Sequence, residues 1–371
     1  MRVIIACGGS GGHIIPGLSL AAALREKRKD IEIFFAASRK PIDRKLLRHE
    51  KKVFYLPVSG MPDAVSWRIV PFLVKLSLSL ILCFWKMVWI RPDVLVGFGG
   101  YVSGPVIFAG ALSGKPTLIH EENLIPGRAN RWLSCWASQV GVAFEETKNR
   151  FPGRAPVLVV GNPLRRDLAA LSAQDARAYF GLNQGDFTVL VLGGSQGAHS
   201  VNQLVTEAFT RMGQEARGTF QVIHLAGAKD AKELERLYQQ LGIRACVYDF
   251  LDAMGQAYSA ADLVVGRGGA MTLAEIGHFQ KAAIFIPLAL AGSHQMENVK
   301  YLAECGACLV FDEKEKEAEA FARELLALKK DEARRKTLSE KLASFHVTDG
   351  AARLAEAVFA LSGAVPRRDS R

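Results

Sequence analysis

The chain has 371 residues, 49% of them hydrophobic and 23% charged, and a formal net charge of +10. This length predicts two domains, and the composition and the strand pattern at the start predict a cytosolic α/β protein rather than a secreted one. Residues 1–160 carry 22 Lys and Arg against 11 Asp and Glu, so the positive excess lies in the first half. That asymmetry predicts a polyanionic partner, either a nucleic acid or an acidic membrane surface.

In the first half, apolar runs alternate with segments of helical spacing. Strands are predicted at residues 2–7, 31–36, 53–57, 93–97, 117–120 and 157–160. A helix is predicted at residues 16–28, with Pro16 in its first turn. A Gly-Asn-Pro turn follows the last strand, so the first domain is expected to cover residues 1–163.

The segment Ile69–Ile90 is strongly apolar, with basic residues inside it and at both ends. Its longest charge-free piece, residues 76–85, would rise only about 15 Å as a helix, half of a hydrocarbon core, which disfavours a membrane span. A buried core helix is the alternative to the favoured reading, an interfacial helix that dips into the membrane. Nucleic acid is disfavoured because the basic residues flank apolar side chains. The residues expected to insert are Leu80, Phe84 and Trp85.

The second half repeats the alternation of strands and helices. Strands are predicted at residues 188–192, 220–225, 245–248, 262–266 and 283–287. The second domain is expected to cover residues 164–344, and a helix at about 345–362 is expected to pack back on the first domain. The pattern predicts an α/β chain with two Rossmann-like parallel-sheet domains facing a central cleft.

Glycine-rich turns occur twice in each half and in the same order. The first pair, at residues 8–12 and 97–100, returns at residues 193–197 and 266–269, at offsets of about 185 and 169 residues. Each turn lies between a strand and a helix, an arrangement that points backbone N–H groups at a phosphate. The repeat therefore predicts two phosphate-binding domains.

The glycine turns do not match the dinucleotide fingerprint. The third glycine would fall at Ile14, and Ser38, Arg39 and Lys40 replace the acidic residue that should close the second strand. Arg39 and Lys40 suit a 2′-phosphate, so an NADP-dependent oxidoreductase remains a remote alternative. The sequence has no Asp-x-Asp motif, which disfavours a transferase that uses a metal chelated by that motif. We expect no metal site, and we also expect no cofactor.

Residues 268–275 give a more specific signal. A strand that ends in two glycines and leads into a helix offers N–H groups and a positive helix end to a diphosphate. Glu275 lies in that helix at a position that suits hydrogen bonds from a ribose diol, although an acidic residue early in a helix also favours the dipole. Arg165 and Ser195 are available as further phosphate ligands.

Six motifs together resemble the MurG family of bacterial N-acetylglucosaminyltransferases along nearly the whole chain. They are GGSGGHIIPG at 8–17, GFGGYVSGP at 97–105, HEEN at 120–123, GNPLR at 161–165, GGSQGA at 193–198 and GGAMTLAE at 268–275. The resemblance implies a GT-B fold. It also implies transfer of GlcNAc from UDP-GlcNAc to the 4-hydroxyl of MurNAc in undecaprenyl-diphosphate-linked MurNAc-pentapeptide, in peptidoglycan synthesis. If one base acts directly, this transfer is a single displacement with inversion. Glu122 stands where the family usually has Gln.

The resemblance also implies the residues that bind the two substrates. Those expected at the donor UDP-GlcNAc are Ser10, Gly11, Gly12, Asn123, Arg165, Ser195, Leu251, Ala270, Met271, Thr272, Leu273, Ala274, Glu275 and Gln295. Those expected at the acceptor are Tyr101, Val102, Ser103, Gly104 and His120.

Transfer to a hydroxyl needs a base. His13 ends the first glycine turn, and an imidazole pKa near 6.5 suits proton transfer at neutral pH. Glu121 is the second candidate, and helix capping or phosphate binding is the alternative role for His13.

The alternatives to this transferase are another GT-B lipid glycosyltransferase and a nucleotide-sugar epimerase, which would share the donor half. The expected partners besides the two substrates are an anionic membrane surface and the cell-wall synthesis machinery. The expected location is the cytoplasmic face of the inner membrane, as a peripheral protein.

Overall fold

The structure is a computed structural model, and it describes residues 1–60, 67, 69–193, 197–288, 294–312 and 318–363. The chain divides into two compact units, each built on one sheet. The first unit comprises Met1–Arg165 and Val347–Arg371, and the second comprises Arg166–His346.

The strands of the first unit form a seven-stranded sheet in which the described pairs are all parallel. They are β1 (Arg2–Ala6), β2 (Glu32–Ser38), β3 (Val53–Leu56), β4 (Val94–Gly97), β5 (Thr117–Glu121), β6 (Gln139–Val142) and β7 (Val157–Val159). Their order in the sheet is β3-β2-β1-β4-β5-β6-β7. The six predicted strands are confirmed to within two residues, and β6 is an additional strand.

Both faces of this sheet are covered, which explains why β1 is a continuous apolar run. Val3 and Ile5 point to one core cluster, while Ile4 and Ala6 point to another on the opposite face. The helices that follow these strands are α1 (Gly11–Lys27), α2 (Pro41–Leu46), α3 (Ile69–Ile90), α4 (Gly100–Leu112) and α5 (Arg128–Leu133).

Helix α1 begins five residues before its predicted start, so Pro16 lies inside the helix and not in its first turn. The prediction used Pro16 as the start signal because proline is favoured at the first helical position. In the structure, the glycine turn itself opens the helix at Gly11. The consequence for function is that His13 lies in the first turn of α1.

The second unit has a six-stranded parallel sheet in the order β10-β9-β8-β11-β12-β13 for the strands defined next. They are β8 (Phe187–Leu192), β9 (Phe220–Leu225), β10 (Arg244–Tyr248), β11 (Leu263–Gly266), β12 (Ala282–Phe285) and β13 (Leu309–Val310). The five predicted strands are confirmed, and β13 is additional. The helices are α6 (Ala173–Tyr179), α7 (His199–Arg211), α8 (Gln214–Arg217), α9 (Ala231–Gln240), α10 (Met254–Ala260), α11 (Ala270–His278), α12 (His294–Glu304), α13 (Ala318–Lys330) and α14 (Glu332–Ser344).

The last helix, α15 (Gly350–Ser362), belongs to the first unit. Its buried Leu354, Val358 and Phe359 share a core cluster with Leu24 of α1. Lys27 of α1 also forms an ion pair of 2.6 Å with α15. The chain therefore returns to its first unit after completing the second.

The order of the strands in each sheet reverses beside its first strand. In the first unit β1 lies between β2 and β4, and in the second unit β8 lies between β9 and β11. In parallel α/β sheets, ligands bind outside the carboxyl ends of the strands at such a reversal. The four glycine turns follow β1, β4, β8 and β11, so each unit carries its pair at this position.

Candidate active site

The first glycine turn approaches its surroundings closely. Gly9 has φ of +90°, and a Cβ there would lie 2.5 Å from the hydroxyl of Tyr101, so only glycine fits. Ser10 is the N-cap of α1 with extended backbone, and Gly11 and Gly12 open the helix. The first N–H groups of α1 are thus presented by small residues, as anion binding at a helix N-terminus requires.

A buried carboxylate holds this turn in place. Asp43 accepts hydrogen bonds of 3.0 Å from Gly9 N–H and 2.8 Å from Ser38 N–H, and a further bond from the Ser38 hydroxyl. Its side chain is completely buried. Asp43 was not predicted as a site residue. The one sequence feature that could have indicated it is its position as an acidic residue in α2, the short helix after β2.

Two more side chains line the turn. Lys40 Nζ donates to the carbonyl of Gly9 at 3.3 Å and lies 5.3 Å from the ring centre of Tyr101. The Tyr101 hydroxyl is buried and forms no hydrogen bond with any described residue. A buried hydroxyl of this kind is suited to a ligand, and it stands beside the positive charge of Lys40.

His13 lies where two helix N-termini meet. A Cβ at Gly100, the first residue of α4, would lie 3.1 Å from the His13 ring, and one at Gly99 would lie 3.7 Å from it. Both glycines have positive φ, so the close approach depends on glycine in backbone conformation as well as in size. The structure therefore brings together the Ser10–Gly12 turn, His13 and Tyr101.

The remaining predicted acceptor residues differ in exposure. Val102 and Ser103 are completely buried, and the Ser103 hydroxyl donates to the carbonyls of Gly99 and Ala6. Gly104 is partly exposed. Ser103 therefore stabilises the start of α4 through these hydrogen bonds. The acceptor contacts expected of Val102, Ser103 and Gly104 remain predictions.

His120 and Glu121 are the last two residues of β5, and both are buried. His120 Nε2 lies 2.9 Å from the Gly161 carbonyl, and burial lowers the His120 pKa to about 4, so the neutral ring donates this bond. Its predicted contact with the acceptor remains a prediction, although the ring faces protein here.

Glu121 accepts four hydrogen bonds within the loop that follows β5. They come from Asn123 N and Nδ2, Gly127 N and Asn130 Nδ2, at 2.9 to 3.0 Å. These donors occupy both carboxylate oxygens, which fits a loop-organising residue better than a base. Asn123, a predicted donor ligand, is fixed in this way at the loop surface.

In the second unit, the turn after β11 leads into α11. A Cβ at Gly268 would lie 2.2 Å from Val299, so the turn packs directly against α12. Along α11, Ala270, Leu273 and Ala274 are buried, while Met271, Thr272 and Glu275 are partly exposed. The helix predicted to bind the donor therefore has one partly exposed face, and Glu275 lies on that face.

Tyr258 fixes the carboxylate of Glu275. The Tyr258 hydroxyl donates to Glu275 Oε2 at 2.8 Å, and the tyrosine is completely buried with its ring stacked on Phe279. Burial raises the Tyr258 pKa well above its usual value, and the charge of Glu275 adds to this, so the hydroxyl stays protonated as a donor. No sequence motif signalled Tyr258.

The other predicted donor residues are scattered along the chain. Gln295 is in the first turn of α12, and its Oε1 is buried without a hydrogen-bond partner among the described residues. Leu251 lies in the segment after β10 and is partly exposed, and Arg165 ends the first unit. Ser195 lies outside the described residues.

Within the described ranges, no group of three His, Cys, Asp or Glu side chains is arranged to hold a metal ion.

Helix α3 carries an exposed apolar surface in the first unit. Only Ser79, Cys83, Met87 and Ile90 are buried, a stripe that attaches the helix to the domain. By length and composition, α3 is the one described helix that could cross a membrane, and only 11% of its apolar window is buried. The core-helix alternative is therefore wrong. Phe84 and Trp85 are exposed, whereas Leu80 is partly buried.

The comparisons with known proteins cover both units. Residues 3–142 match the glycosyltransferase family 28 N-terminal domain, and residues 188–354 match the family 28 C-terminal domain. A Myxococcus xanthus protein is 36% identical over 358 residues, covering 96% of this chain and 92% of its own length. A Chlorobaculum tepidum protein is 35% identical, covering 98% of this chain and all of its own length. Both are named UDP-N-acetylglucosamine–N-acetylmuramyl-(pentapeptide) pyrophosphoryl-undecaprenol N-acetylglucosamine transferase.

Solved structures agree with this assignment. The Acinetobacter baumannii MurG structure matches with a TM-score of 0.77 at 25% identity, covering 96% of this chain and 99% of that one. A Neisseria meningitidis UDP-GlcNAc 2-epimerase matches with a TM-score of 0.67 at 12% identity, covering 97% and 100%, and so shares the fold alone. The predicted two-domain α/β architecture and the family resemblance are confirmed. The chain belongs to the MurG family within glycosyltransferase family 28 and is a hexosyltransferase with a GT-B fold.

Proposed function

We propose that this chain transfers GlcNAc from UDP-GlcNAc to the 4-hydroxyl of MurNAc in undecaprenyl-diphospho-muramoylpentapeptide, with inversion, in peptidoglycan synthesis. The observation that carries the proposal is the match to relatives named for this transfer over almost the whole chain. The paired glycine turns at the strand reversals support it, because both substrates carry a diphosphate.

The second unit binds the donor. Glu275, held by Tyr258, accepts hydrogen bonds from the ribose hydroxyls, and Thr272 lies one turn earlier on the same exposed face. The buried Oε1 of Gln295 accepts from a sugar hydroxyl. Ser195 and the N-terminus of α11 contact the diphosphate, as does Arg165, the residue that directly precedes the second unit. These contacts stabilise the negative charge that develops on departing UDP.

The first unit supplies the base and the acceptor site. The 4-hydroxyl oxygen attacks C1 of GlcNAc, the bond from C1 to the UDP oxygen breaks, and the hydroxyl proton passes to His13. The N-termini of α1 and α4 lie on either side of this imidazole. That of α4, which carries Tyr101 and Gly104, suits the acceptor diphosphate, while Ser10, Gly11 and Gly12 at that of α1 remain proposed ligands of the donor. Lys40 adds a positive charge beside Tyr101. We assign to His13 the role of the base that accepts the hydroxyl proton, and to Glu121 the role of organising the loop after β5.

We further propose that α3 places the first unit on the cytoplasmic face of the inner membrane as a peripheral contact. Trp85, Val88 and Trp89 are 59%, 74% and 65% exposed, which is unusual for side chains of this size. Lys86 Nζ lies 4.8 Å from the Trp85 ring and 4.9 Å from the Trp89 ring, so a cation accompanies the aromatic surface. This combination suits an anionic membrane, where an acceptor with a polyprenyl tail resides.

The membrane surface is also where the protein would meet the cell-wall synthesis machinery, its remaining expected partner. A lipid-bound acceptor and its product stay in the bilayer between successive enzymes. A peripheral enzyme on the same face therefore works beside them.

A direct assay tests the proposed reaction. Purified protein is incubated with labelled UDP-GlcNAc and the MurNAc-pentapeptide lipid, and the lipid fraction is analysed for a GlcNAc-MurNAc disaccharide. The alternative is an epimerase, because a UDP-GlcNAc 2-epimerase shares this fold. An epimerase would convert UDP-GlcNAc to its 2-epimer without any acceptor. Epimer formation in the absence of lipid would replace our proposal with that alternative.

A further inference from the structure

The carboxyl group of Glu122 lies beside the imidazole of His13. Glu122 Oε1 is 3.5 Å from His13 Nδ1, and the two side chains are only 14% and 26% exposed. This separation is a few tenths of an ångström longer than a hydrogen bond, so a small rotation of either side chain closes it. We propose that Glu122 is a positioning residue that shares a proton with His13 and thereby sets the pH at which His13 can act as a base. The inference rests on the proposed function, in which His13 accepts the acceptor's proton.

The surrounding backbone fixes both partners. His13 is confined by α1 and by the glycines at the start of α4. Glu122 follows Glu121, whose four hydrogen bonds organise the loop, and the Glu122 carbonyl accepts from Asn162 Nδ2 at 3.4 Å. A Cβ at Gly12 would itself lie 3.5 Å from Glu122 Oε1, so the carboxyl group sits against the first turn of α1. The pair is therefore part of the built site rather than a surface encounter.

The proton count of the pair decides whether His13 can accept a proton. When the pair holds one shared proton, it is either a neutral imidazole whose Nδ1 accepts a hydrogen bond from the protonated carboxyl group, or an imidazolium with a carboxylate. In both forms His13 Nε2 carries a proton. After one proton is lost, His13 Nδ1–H donates to the Glu122 carboxylate and Nε2 presents a lone pair. Only this form is a base, as in a carboxylate–imidazole pair that fixes the tautomer.

The charges around the pair favour its protonated form. Burial, with a smaller contribution from the charge of Glu121, raises the pKa of Glu122 to about 8. Among the described residues, other charged or titratable side chains around these turns include His120 on β5, which burial keeps neutral, Asp43 and Lys40 at Gly9, and Tyr101 on α4. The carboxylates of Glu121 and Asp43 outnumber the ammonium of Lys40 within this set. The pair should therefore release its proton above the pKa of a free imidazole, as one coupled unit.

The first arm of the test is the pH dependence of kcat/KM. Glu122→Gln keeps an oxygen that can accept the Nδ1–H bond but removes the charge and the titration. We expect the midpoint of the acidic limb to fall by roughly one pH unit in this variant. Glu122→Ala should lower kcat at every pH, and Gln should restore much of that loss because it restores the acceptor oxygen. Glu233→Gln, on the exposed face of α9 in the second unit, makes the same charge change as a control and should leave the profile unmoved.

The second arm measures His13 directly by NMR titration of ¹⁵N-labelled histidine, with the His13 signals assigned from the spectrum of His13→Asn. In the wild type, the midpoint should lie above that of Glu122→Gln by the same interval as in the kinetics. Equal midpoints, within about 0.3 pH unit, would overturn the proton-sharing pair. The NMR arm does not depend on turnover. If His13→Ala kept normal activity, the base assignment would fail, while the NMR result would still decide the pairing.

Discussion

The Tyr258 hydroxyl donates a hydrogen bond of 2.8 Å to Glu275 Oε2, so a completely buried phenol orients the carboxylate proposed to bind the ribose. This contact converts a flexible acidic side chain into a fixed acceptor. A ligand hydroxyl then meets a carboxylate that has already lost its rotational freedom.

Removing either partner should weaken binding of UDP, by different amounts. Glu275→Ala deletes a charge-assisted acceptor and should cost about 1.5–3 kcal/mol of binding free energy. Tyr258→Phe removes only the orienting bond and should cost about 0.5–1.5 kcal/mol. Calorimetric titration with UDP measures both. His278→Ala, at the exposed C-terminal end of α11, is the matched control and should bind normally. Unchanged affinity in Glu275→Ala would remove Glu275 from the site.

The base assignment predicts a separation between turnover and donor binding. His13→Ala should lower kcat by about 10²–10⁴-fold, because a positioned general base contributes about that much. Its affinity for UDP should stay normal, since UDP is proposed to bind the second unit. Steady-state kinetics and calorimetry on the same preparation give the two numbers. Near-normal turnover would transfer the role of His13 to another group or to solvent.

Glu121 should behave as a structural residue. Glu121→Gln leaves one oxygen for four donors and turns an acceptor into an N–H group that faces other N–H groups. We expect the first unit to lose about 2–4 kcal/mol of unfolding free energy, the range for a broken buried hydrogen-bond network. Urea unfolding followed by tryptophan fluorescence measures this. A fully stable variant that has lost turnover would instead return Glu121 to the list of bases.

The membrane proposal is tested with exposed side chains only. Leu80, Phe84 and Trp85 were the residues selected from sequence, but Leu80 is partly buried and its replacement could unfold the domain. The variant Phe84→Ser with Trp85→Ser and Trp89→Ser should bind anionic liposomes much less, while UDP binding persists.

Wild-type binding to these liposomes should also weaken with salt, because the Lys side chains contribute about 1 kcal/mol each. Tyr179→Ser, a 61% exposed aromatic of the second unit, is the control and should sediment with liposomes like the wild type. Wild-type protein that ignores anionic liposomes would contradict the proposal.

Most of the fold could be predicted because buried parallel strands form apolar runs bounded by glycine. The two missed strands break that rule. Gly141 interrupts the run in β6, and β13 has only two residues, Leu309 and Val310, so neither gives a periodic signal. The charge-rich composition of α13 also conceals an apolar face, on which Phe321 and Leu325 are completely buried.

The site residues that could be predicted from the sequence are those that belong to a local motif. Glycine turns and His13 are local in sequence, whereas Asp43, Glu122 and Tyr258 act through partners 34, 109 and 17 residues away. Contacts of this kind depend on which strands become neighbours, and that information is absent from any single segment. The exposure of α3 could not be predicted from the sequence either, because an apolar helix has the same sequence pattern whether it is buried or exposed to solvent.

The most direct test of the central claim is the chemical identity of the product made from UDP-GlcNAc and the MurNAc-pentapeptide lipid. Mass spectrometry should show addition of one GlcNAc that depends on both substrates, with one UDP released for each. NMR of the isolated disaccharide should show a β-linkage to the 4-hydroxyl of MurNAc, as inversion of the α-linked donor requires. Release of UDP without sugar on the lipid, or an α-linkage, would contradict the account.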